Sequence, residues 1–327
     1  MEVTILGVII KAVIILAIIS AVAGFGTYLE RKALAFFQRR LGPMHVGPYG
    51  LLQILADGIK LFTKQDLIPQ DANKLIFMVA PAITAATAFI ALSAVPVFPD
   101  FTIFGIFVPS VAADVDIGIL FVLGMMASGL YGPLLAGMSQ SNKWGLLGAA
   151  RTASQFISYE VVTGLSLLAP IMLVGSLSLI DFNAYNETHT WMMFTQPVAF
   201  VLFLIAGFAE TNRTPFDMLE NEAEIVAGYA TEYSGMRWGM FFIGEYTNMI
   251  TISVLAAVVF MGGYTDLWIL PGWLAIILKI AFIFFFMLWV RASWPHVRPD
   301  QMMWLCWKVL MPLAVTNVLI TGLVMMV

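Results

Sequence analysis

Val198-Ala-Phe-Val-Leu-Phe-Leu-Ile-Ala-Gly-Phe-Ala-Glu-Thr-Asn-Arg-Thr-Pro-Phe-Asp-Met-Leu-Glu-Asn-Glu-Ala-Glu224 passes within a few residues from an unbroken apolar run to a run of carboxylates. From Glu210 to Glu245 the chain carries seven of its twenty acidic residues and two basic ones, Arg213 and Arg237, with an apolar segment on either side. If those flanks cross a membrane, the carboxylates lie beside and inside it. Acidic groups so placed point to proton handling.

The composition settles the membrane question. The chain is 61% hydrophobic and 11% charged, with mean hydropathy +0.91, whereas a soluble domain carries about 25% charged residues. Crossing the hydrocarbon takes about 20 apolar residues, and eight such runs occur, at about 3–26, 75–98, 117–138, 155–180, 192–209, 240–261, 272–290 and 302–326. The predicted fold class is an all-α integral membrane protein with eight transmembrane helices.

The first run contains Lys11 and lacks a small-residue cleavage site, so it reads as a retained helix and not as a signal peptide. Residues 1–327 read as a single polytopic membrane domain, without linker, low-complexity tract or internal repeat. No matching pair of broken helices recurs in two halves, which counts against a transporter built from inverted repeats.

Orientation follows from Lys and Arg. The loops after the first, third, fifth and seventh runs hold thirteen of the sixteen basic residues: Arg31, Lys32, Arg39, Arg40, Lys60, Lys64, Lys74, Lys143, Arg151, Arg213, Arg237, Arg291 and Arg298. The loops after the second, fourth and sixth hold none. By the positive-inside rule the basic loops face the cytoplasm and both termini face the other side. The acidic loop, about 210–239, then lies on the cytoplasmic face.

The first cytoplasmic segment runs Pro48-Tyr-Gly-Leu-Leu-Gln-Ile-Leu-Ala-Asp-Gly-Ile-Lys-Leu-Phe62. Leu51, Leu52, Leu55, Ile59 and Phe62 recur at helical spacing, with Gln53, Asp57 and Lys60 between them. This pattern predicts a cytoplasmic interfacial helix over about 48–64; an amphipathic helix packed on its neighbours fits equally well. Just before it, Glu30-Arg-Lys-Ala-Leu-Ala-Phe-Phe-Gln-Arg-Arg40 mixes charge and aromatics. A positive-inside anchor explains the basic residues and leaves Glu30 unexplained.

Residue types also exclude chemistry. His45, His189 and His296 fall outside the apolar runs, so no intramembrane pair is available for a haem, and one cysteine, Cys306, makes no iron–sulfur or Cys-rich zinc set. No Gly-rich phosphate cradle occurs. The expectation is a chain without bound metal, haem, flavin or iron–sulfur cluster and without a nucleic-acid partner. In any redox reaction its partners would hold the electrons.

Glu160, beside Tyr159, and Glu245, beside Tyr246, stand within apolar runs, as do Lys11, Lys279 and Lys308. Such charges face a hydrated cavity or an opposite charge. Proton transfer is the reading adopted for both glutamates, against a structural ion pair with Arg151 or a membrane lysine. If the acidic loop is helical, Glu220 and Glu224 share a face, and crowding favours one of them holding a proton near neutral pH. A solvated acidic loop that docks a basic partner is compatible with that role.

Thr211-Asn-Arg-Thr-Pro-Phe-Asp217, preceded by Ala209-Glu210 and followed by Glu220, Glu222 and Glu224, resembles the signature loop of the quinone-site membrane subunits of respiratory complex I. Ordered matches continue along the chain. They include Glu30-Arg-Lys32, Gly47-Pro-Tyr-Gly-Leu-Leu-Gln53, Ala56-Asp57, Lys60-Leu-Phe-Thr-Lys64, Leu147-Gly-Ala149 with Arg151, Ser158-Tyr-Glu160, Glu232-Tyr233, Gly244-Glu-Tyr246, Arg291-Ala292 and Asp300-Gln301.

The resemblance implies a subunit of the membrane arm, in an energy-transducing membrane such as the bacterial inner membrane, at the junction with the hydrophilic arm. There a quinone, ubiquinone or menaquinone, is reduced by the terminal iron–sulfur cluster of a peripheral partner, and protons are moved by this and the antiporter-like subunits. It implies that Glu30, Arg31, Asp57, Arg213, Phe216 and Asp217 border the quinone chamber. It likewise implies that Glu210, Glu220, Glu222 and Glu224 begin a carboxylate route through Tyr159, Glu160 and Glu245. Met44, Met138, His296 and Pro299 depart from the family pattern and bear on loop packing, not on the acidic route.

Two other readings are weighed against this one. A related membrane-bound hydrogenase anchor shares the carboxylates but fits less well through the quinone-chamber segments. A self-sufficient proton-coupled transporter predicts solute uptake by the purified chain alone.

Overall fold

A computed structural model describes residues 5–97, 101–103, 106–108, 111, 115–219, 222–266 and 270–326. The helices are α1 (Ile5–Phe37), α2 (Gln53–Thr63), α3 (Lys74–Ser93), α4 (Gly118–Gly129), α5 (Tyr131–Ser139), α6 (Lys143–Val174), α7 (Leu179–Thr188), α8 (Met192–Thr195), α9 (Pro197–Glu210), α10 (Glu222–Ile225), α11 (Gly235–Val259), α12 (Gly272–Ser293), α13 (Pro299–Leu305) and α14 (Met311–Met326). A π-turn, Cys306–Leu310, joins the last two, and 3₁₀ turns cover Pro48–Gly50 and Gly228–Ala230.

Each of the eight apolar runs lies mainly on helix. Six stretches are long and apolar enough to cross a membrane: Lys74–Ser93, Gly118–Ser139, Lys143–Val174, Gly235–Val259, Gly272–Ser293 and Pro299–Met326. The fifth run is divided between α8 and the shorter apolar helix α9. The all-helical expectation is corrected at one place, an antiparallel hairpin of β1 (Phe101–Ile103) and β2 (Ile106–Val108) with Thr102 opposite Phe107. Its strands are β-branched and aromatic, the residue types that suit a pleated surface, and they lie in the connection between the second and third apolar runs.

Helix α11 is the hub. Its apolar window is 83% buried, against 17–44% for the other five membrane-length stretches, and it packs on α1, α2, α3, α7, α9 and α12. A helix apolar on every face is stable only when surrounded in this way. Small residues let the neighbours approach: Thr84 of α3 sits against Gly132 of α5 and Gly244 of α11, where a Cβ would collide with it. The break between α4 and α5 also has a local cause. Pro133 has no N–H to give the carbonyl of Gly129, and the Thr84 hydroxyl donates to that carbonyl instead, at 3.4 Å.

Several helices overrun the apolar segments that announced them. α6 starts at Lys143, twelve residues before the predicted 155, because the Asn142 side chain caps it by accepting from the Trp144 N–H at 3.1 Å. It ends at Gly175 in the left-handed conformation (φ 73°). Glu160 is therefore nearly five turns into its helix instead of two. Arg151 is helical, not a loop residue. Glu245 lies ten residues into α11, which begins at Gly235, not near its start. The predicted interfacial segment is helical as α2, and its apolar stripe is exposed at Leu51, Leu52, Leu55, Ile59 and Phe62.

Candidate functional site

The acidic loop is built from the end of α9. Asn212 turns the chain at φ 51°, a conformation asparagine tolerates better than most residues. Gln155 of α6 clamps this turn by donating to the Ala209 carbonyl (2.7 Å) and the Asn212 side-chain oxygen (3.0 Å). Arg213 follows, its carbonyl accepting the Phe216 N–H at 2.8 Å. The Pro215 carbonyl accepts from the Val297 N–H at 2.9 Å, which ties the loop to the connection between α12 and α13.

Four groups of site residues emerge. In the innermost, Glu30 of α1 accepts from Arg213 at 3.4 Å, from Arg291 of α12 in a close ion pair, and from the Tyr246 hydroxyl at 2.6 Å. Arg213 also reaches Glu245 at 3.5 Å and stacks 4.5 Å over the Tyr246 ring. Tyr229 donates to the other oxygen of Glu245 at 3.2 Å. The Glu30 and Arg213 side chains are 4% and 5% exposed, so these charges are out of water. Two carboxylates and two guanidiniums balance, which is the condition for burying them.

Local sequence explains why they meet. Gly26, one turn before Glu30, has no Cβ to strike the Tyr246 and Phe284 rings, so α1 closes on α11 and α12. Gly244, next to Glu245, does the same against Thr84.

The second group joins α6 and α9. Tyr159 and Glu210 are buried, Glu160 is half-buried, and the three lie within electrostatic reach of one another. The Tyr159 hydroxyl faces Glu210 at the margin of hydrogen-bonding geometry. In the third group Glu224, in α10, pairs with Arg151 at 2.6 Å. In the fourth, Arg31 and Asp57 pair at 2.5 Å near the surface, where Gln53 also donates to Asp57 at 3.0 Å.

Several expectations change here. The ion pair considered between Arg151 and Glu160 or Glu245 is made with Glu224 instead, because α6 carries Arg151 out to the level of α10. Glu245 does have a cationic partner, Arg213. Glu220 lies outside the described residues, and α10 begins at Glu222. Phe216 is buried in the core and Asp217 is half-buried.

Three residues were missed. Tyr229, Tyr246 and Arg291 hold the carboxylates; Tyr246 and Arg291 both stand in the ordered matches, Tyr246 beside Glu245 and Arg291 masked by its place at a helix end, while Tyr229 carried no signal. Tyr233 anchors the same loop, stacking on Phe77 at 4.1 Å and donating to the Phe77 carbonyl at 3.0 Å. Burial pushes its hydroxyl up to about 12, so it remains a donor. Among the described residues no three His, Cys, Asp or Glu side chains converge as a metal set.

Residues 10–322 match the NADH dehydrogenase family. The chain belongs to that family. Within the NADH dehydrogenase family it is 68% identical over 323 residues to the H subunit of the NADH-quinone oxidoreductase of a Nitratiruptor species, covering 98% of each chain. It is 66% identical over 319 residues to that of Wolinella succinogenes, covering 97% of each, and 53% identical over 329 residues to that of Helicobacter acinonychis, covering all of both. The resemblance read from the 211–224 segment and its ordered matches is borne out. With its bacterial relatives and its six membrane-length helices, this member of the NADH dehydrogenase family is a multi-pass membrane protein.

Proposed function

We propose that the chain is the membrane-arm subunit of a proton-pumping NADH:quinone oxidoreductase, that it forms the quinone access chamber with peripheral-arm partners, and that it couples quinone reduction to proton translocation through its carboxylates. The observation that carries this reading is the buried Glu30–Arg213–Arg291–Glu245 network, tied directly to the 211–217 loop. A balanced set of charges held away from water responds strongly to any charge that arrives or leaves beside it. A structural anchor gains little from such a set, since apolar packing would serve as well.

Reduction of a quinone delivers two electrons and takes up two protons. The electrons come from the iron–sulfur cluster of a peripheral partner. On this chain, Arg31 and Asp57 border the chamber and orient the quinone, the half-buried Asp217 lines its membrane side, and the buried Arg213 and Phe216 brace that side from behind. Negative charge gained at the quinone shifts protons among Glu210, Glu220, Glu222 and Glu224, and through Tyr159, Glu160 and Glu245 toward the small and antiporter-like membrane subunits. Local electrostatics acting on a loop with two arrangements is sufficient for that transfer.

The same reading makes residues 1–327 one polytopic domain that crosses the bilayer eight times with both termini on the non-cytoplasmic side. In it α1 and α9 complete the count, and α2 lies at the cytoplasmic interface with its apolar stripe in the lipid headgroup region.

The test is made on the complex isolated gently from native membranes. Iron–sulfur and antiporter-like subunits are expected to co-purify, with quinone reductase activity. Glu222→Gln and Glu224→Gln are each expected to lower proton translocation in vesicles several-fold; unchanged quinone reduction and pumping in both would sink the coupling role. Asp57→Asn breaks an ion pair whose side chains are 48% and 30% exposed, worth about 0–1 kcal/mol. Its expected signature is a raised KM for quinone at unchanged melting temperature.

A further inference from the structure

We infer that Arg213 is a shared cation that makes the charge states of Glu30 and Glu245 interdependent, so that proton exchange at Glu245 is felt by the 211–217 loop. The inference rests on the proposed coupling role and adds to it a positioning residue and the contact through which it acts.

The geometry is asymmetric. Arg213 stands 3.4 Å from Glu30 and 3.5 Å from Glu245, midway between carboxylates on two different helices. Among the charged and titratable groups that face the pair are Glu30 and Arg31 on α1, Arg213 in the loop, Tyr229 on the 3₁₀ turn, Glu245 and Tyr246 on α11, and Arg291 on α12. Glu30 has Arg291, the Tyr246 hydroxyl and its share of Arg213. It is held as the anion by three donors. Glu245 has Tyr229 and the other share of Arg213 among its partners, and it is the member of the pair that stands on the proposed proton route.

When Glu245 takes a proton, Arg213 loses one carboxylate's attraction and is drawn toward Glu30. When Glu245 gives the proton up, Arg213 is drawn back. Its side chain slides over the Tyr246 ring, which fixes the plane of that movement. Its backbone belongs to the turn closed by the Phe216 N–H, and that turn reaches α12 and α13 through Pro215 and Val297. A proton gained or lost inside the bundle thus becomes a displacement of the acidic loop.

The experiment is a double-mutant cycle in the intact complex in vesicles. Glu30→Gln, Glu245→Gln and the double variant are measured for quinone reduction and proton translocation across pH, then all three are repeated with Arg213→Gln. The shared cation predicts that the double variant loses about tenfold less than the product of the single losses, and that this discrepancy vanishes without Arg213.

Independent, multiplicative losses would overturn the shared cation while leaving the coupling role standing. Single variants that change neither rate would overturn the coupling role itself. Should Glu30→Gln fail to assemble, Tyr246→Phe removes the 2.6 Å donor to Glu30 and takes its place in the cycle: losses that are not multiplicative with Glu245→Gln, and become so without Arg213, are expected, and multiplicative losses in both backgrounds overturn the shared cation.

Discussion

Arg291→Met is expected to lower the stability of the assembled complex by less than the ~3–5 kcal/mol that breaking a fully buried ion pair costs, because Arg291 is 28% exposed, yet by more than an exposed pair is worth. The side chain it removes is the cation in closest contact with Glu30, whose carboxylate is 4% exposed. Arg213 and Tyr246 remain, but Arg213 is already divided between two carboxylates, and the buried set is left with one net negative charge. Arg291→Lys restores the charge without the planar fork and is expected to recover only part of the loss. Arg298→Met supplies the contrast, since Arg298 and Asp300 pair in the open, 64% and 68% exposed, and that pair is worth under about 1 kcal/mol. Thermal unfolding of the three purified complexes, together with quinone reduction, makes the comparison. Equal effects at the two arginines would mean that Glu30 is not held as described.

The fold was legible wherever burial in lipid alone dictates composition. Eight apolar runs predicted where helices lie, and the structure has helix over each of them. Helix ends were hidden because they leave the lipid. Residues 143–154 mix Lys143, Arg151 and three glycine or serine positions with apolar ones, and nothing in that mixture distinguishes helix from loop until the Asn142 cap is seen. α7 was equally invisible, a ten-residue helix started by the Ser178 side chain accepting from the Ile180 N–H. The hairpin at residues 101–108 escaped because it falls in the connection between the second and third apolar runs, where two three-residue strands are too short to set up an alternating pattern.

The site divides in the same way. Glu30, Arg213 and Glu245 stood out as charges in or beside apolar sequence. That they form one network did not, because Glu30 is separated from Arg213 by 183 positions and from Tyr246 by 216. Pattern within a helix carries no information about such contacts. Arg291 looked like one more basic residue at a cytoplasmic helix end, and its burial is decided by α1 closing over it. The hydroxyls of Tyr229 and Tyr246 were hidden for a simpler reason. In an aromatic-rich membrane protein a tyrosine is as consistent with the bilayer interface as with a carboxylate partner.

Gly148→Val is the second large effect, and it acts on the carboxylates from a position that touches none of them. A Cβ on Gly148 of α6 would stand 2.8 Å from the Tyr229 nitrogen and 3.0 Å from Gly228, both backbone, so the 3₁₀ turn itself must move. The turn has little room, because Gln140 holds the Tyr229 carbonyl from the other side. What moves with it is the Tyr229 hydroxyl, the 3.2 Å donor to Glu245. Alanine already places its Cβ 2.8 Å from that backbone, so the turn must shift; its better helix propensity of about 1 kcal/mol offsets part of the cost, and a fall in activity smaller than valine's is expected. Valine adds two methyl groups against backbone, an overpacking cost of about 1–3 kcal/mol, and is expected to lower coupled proton translocation at least tenfold. Gly164 lies on the same helix with open space around it. Gly164→Ala and Gly164→Val carry the same propensity changes without the collision, so they are expected to leave coupling intact. Matched losses at both glycines would place the effect in α6 itself; a loss confined to Gly148 ties it to the turn that holds Tyr229 against Glu245.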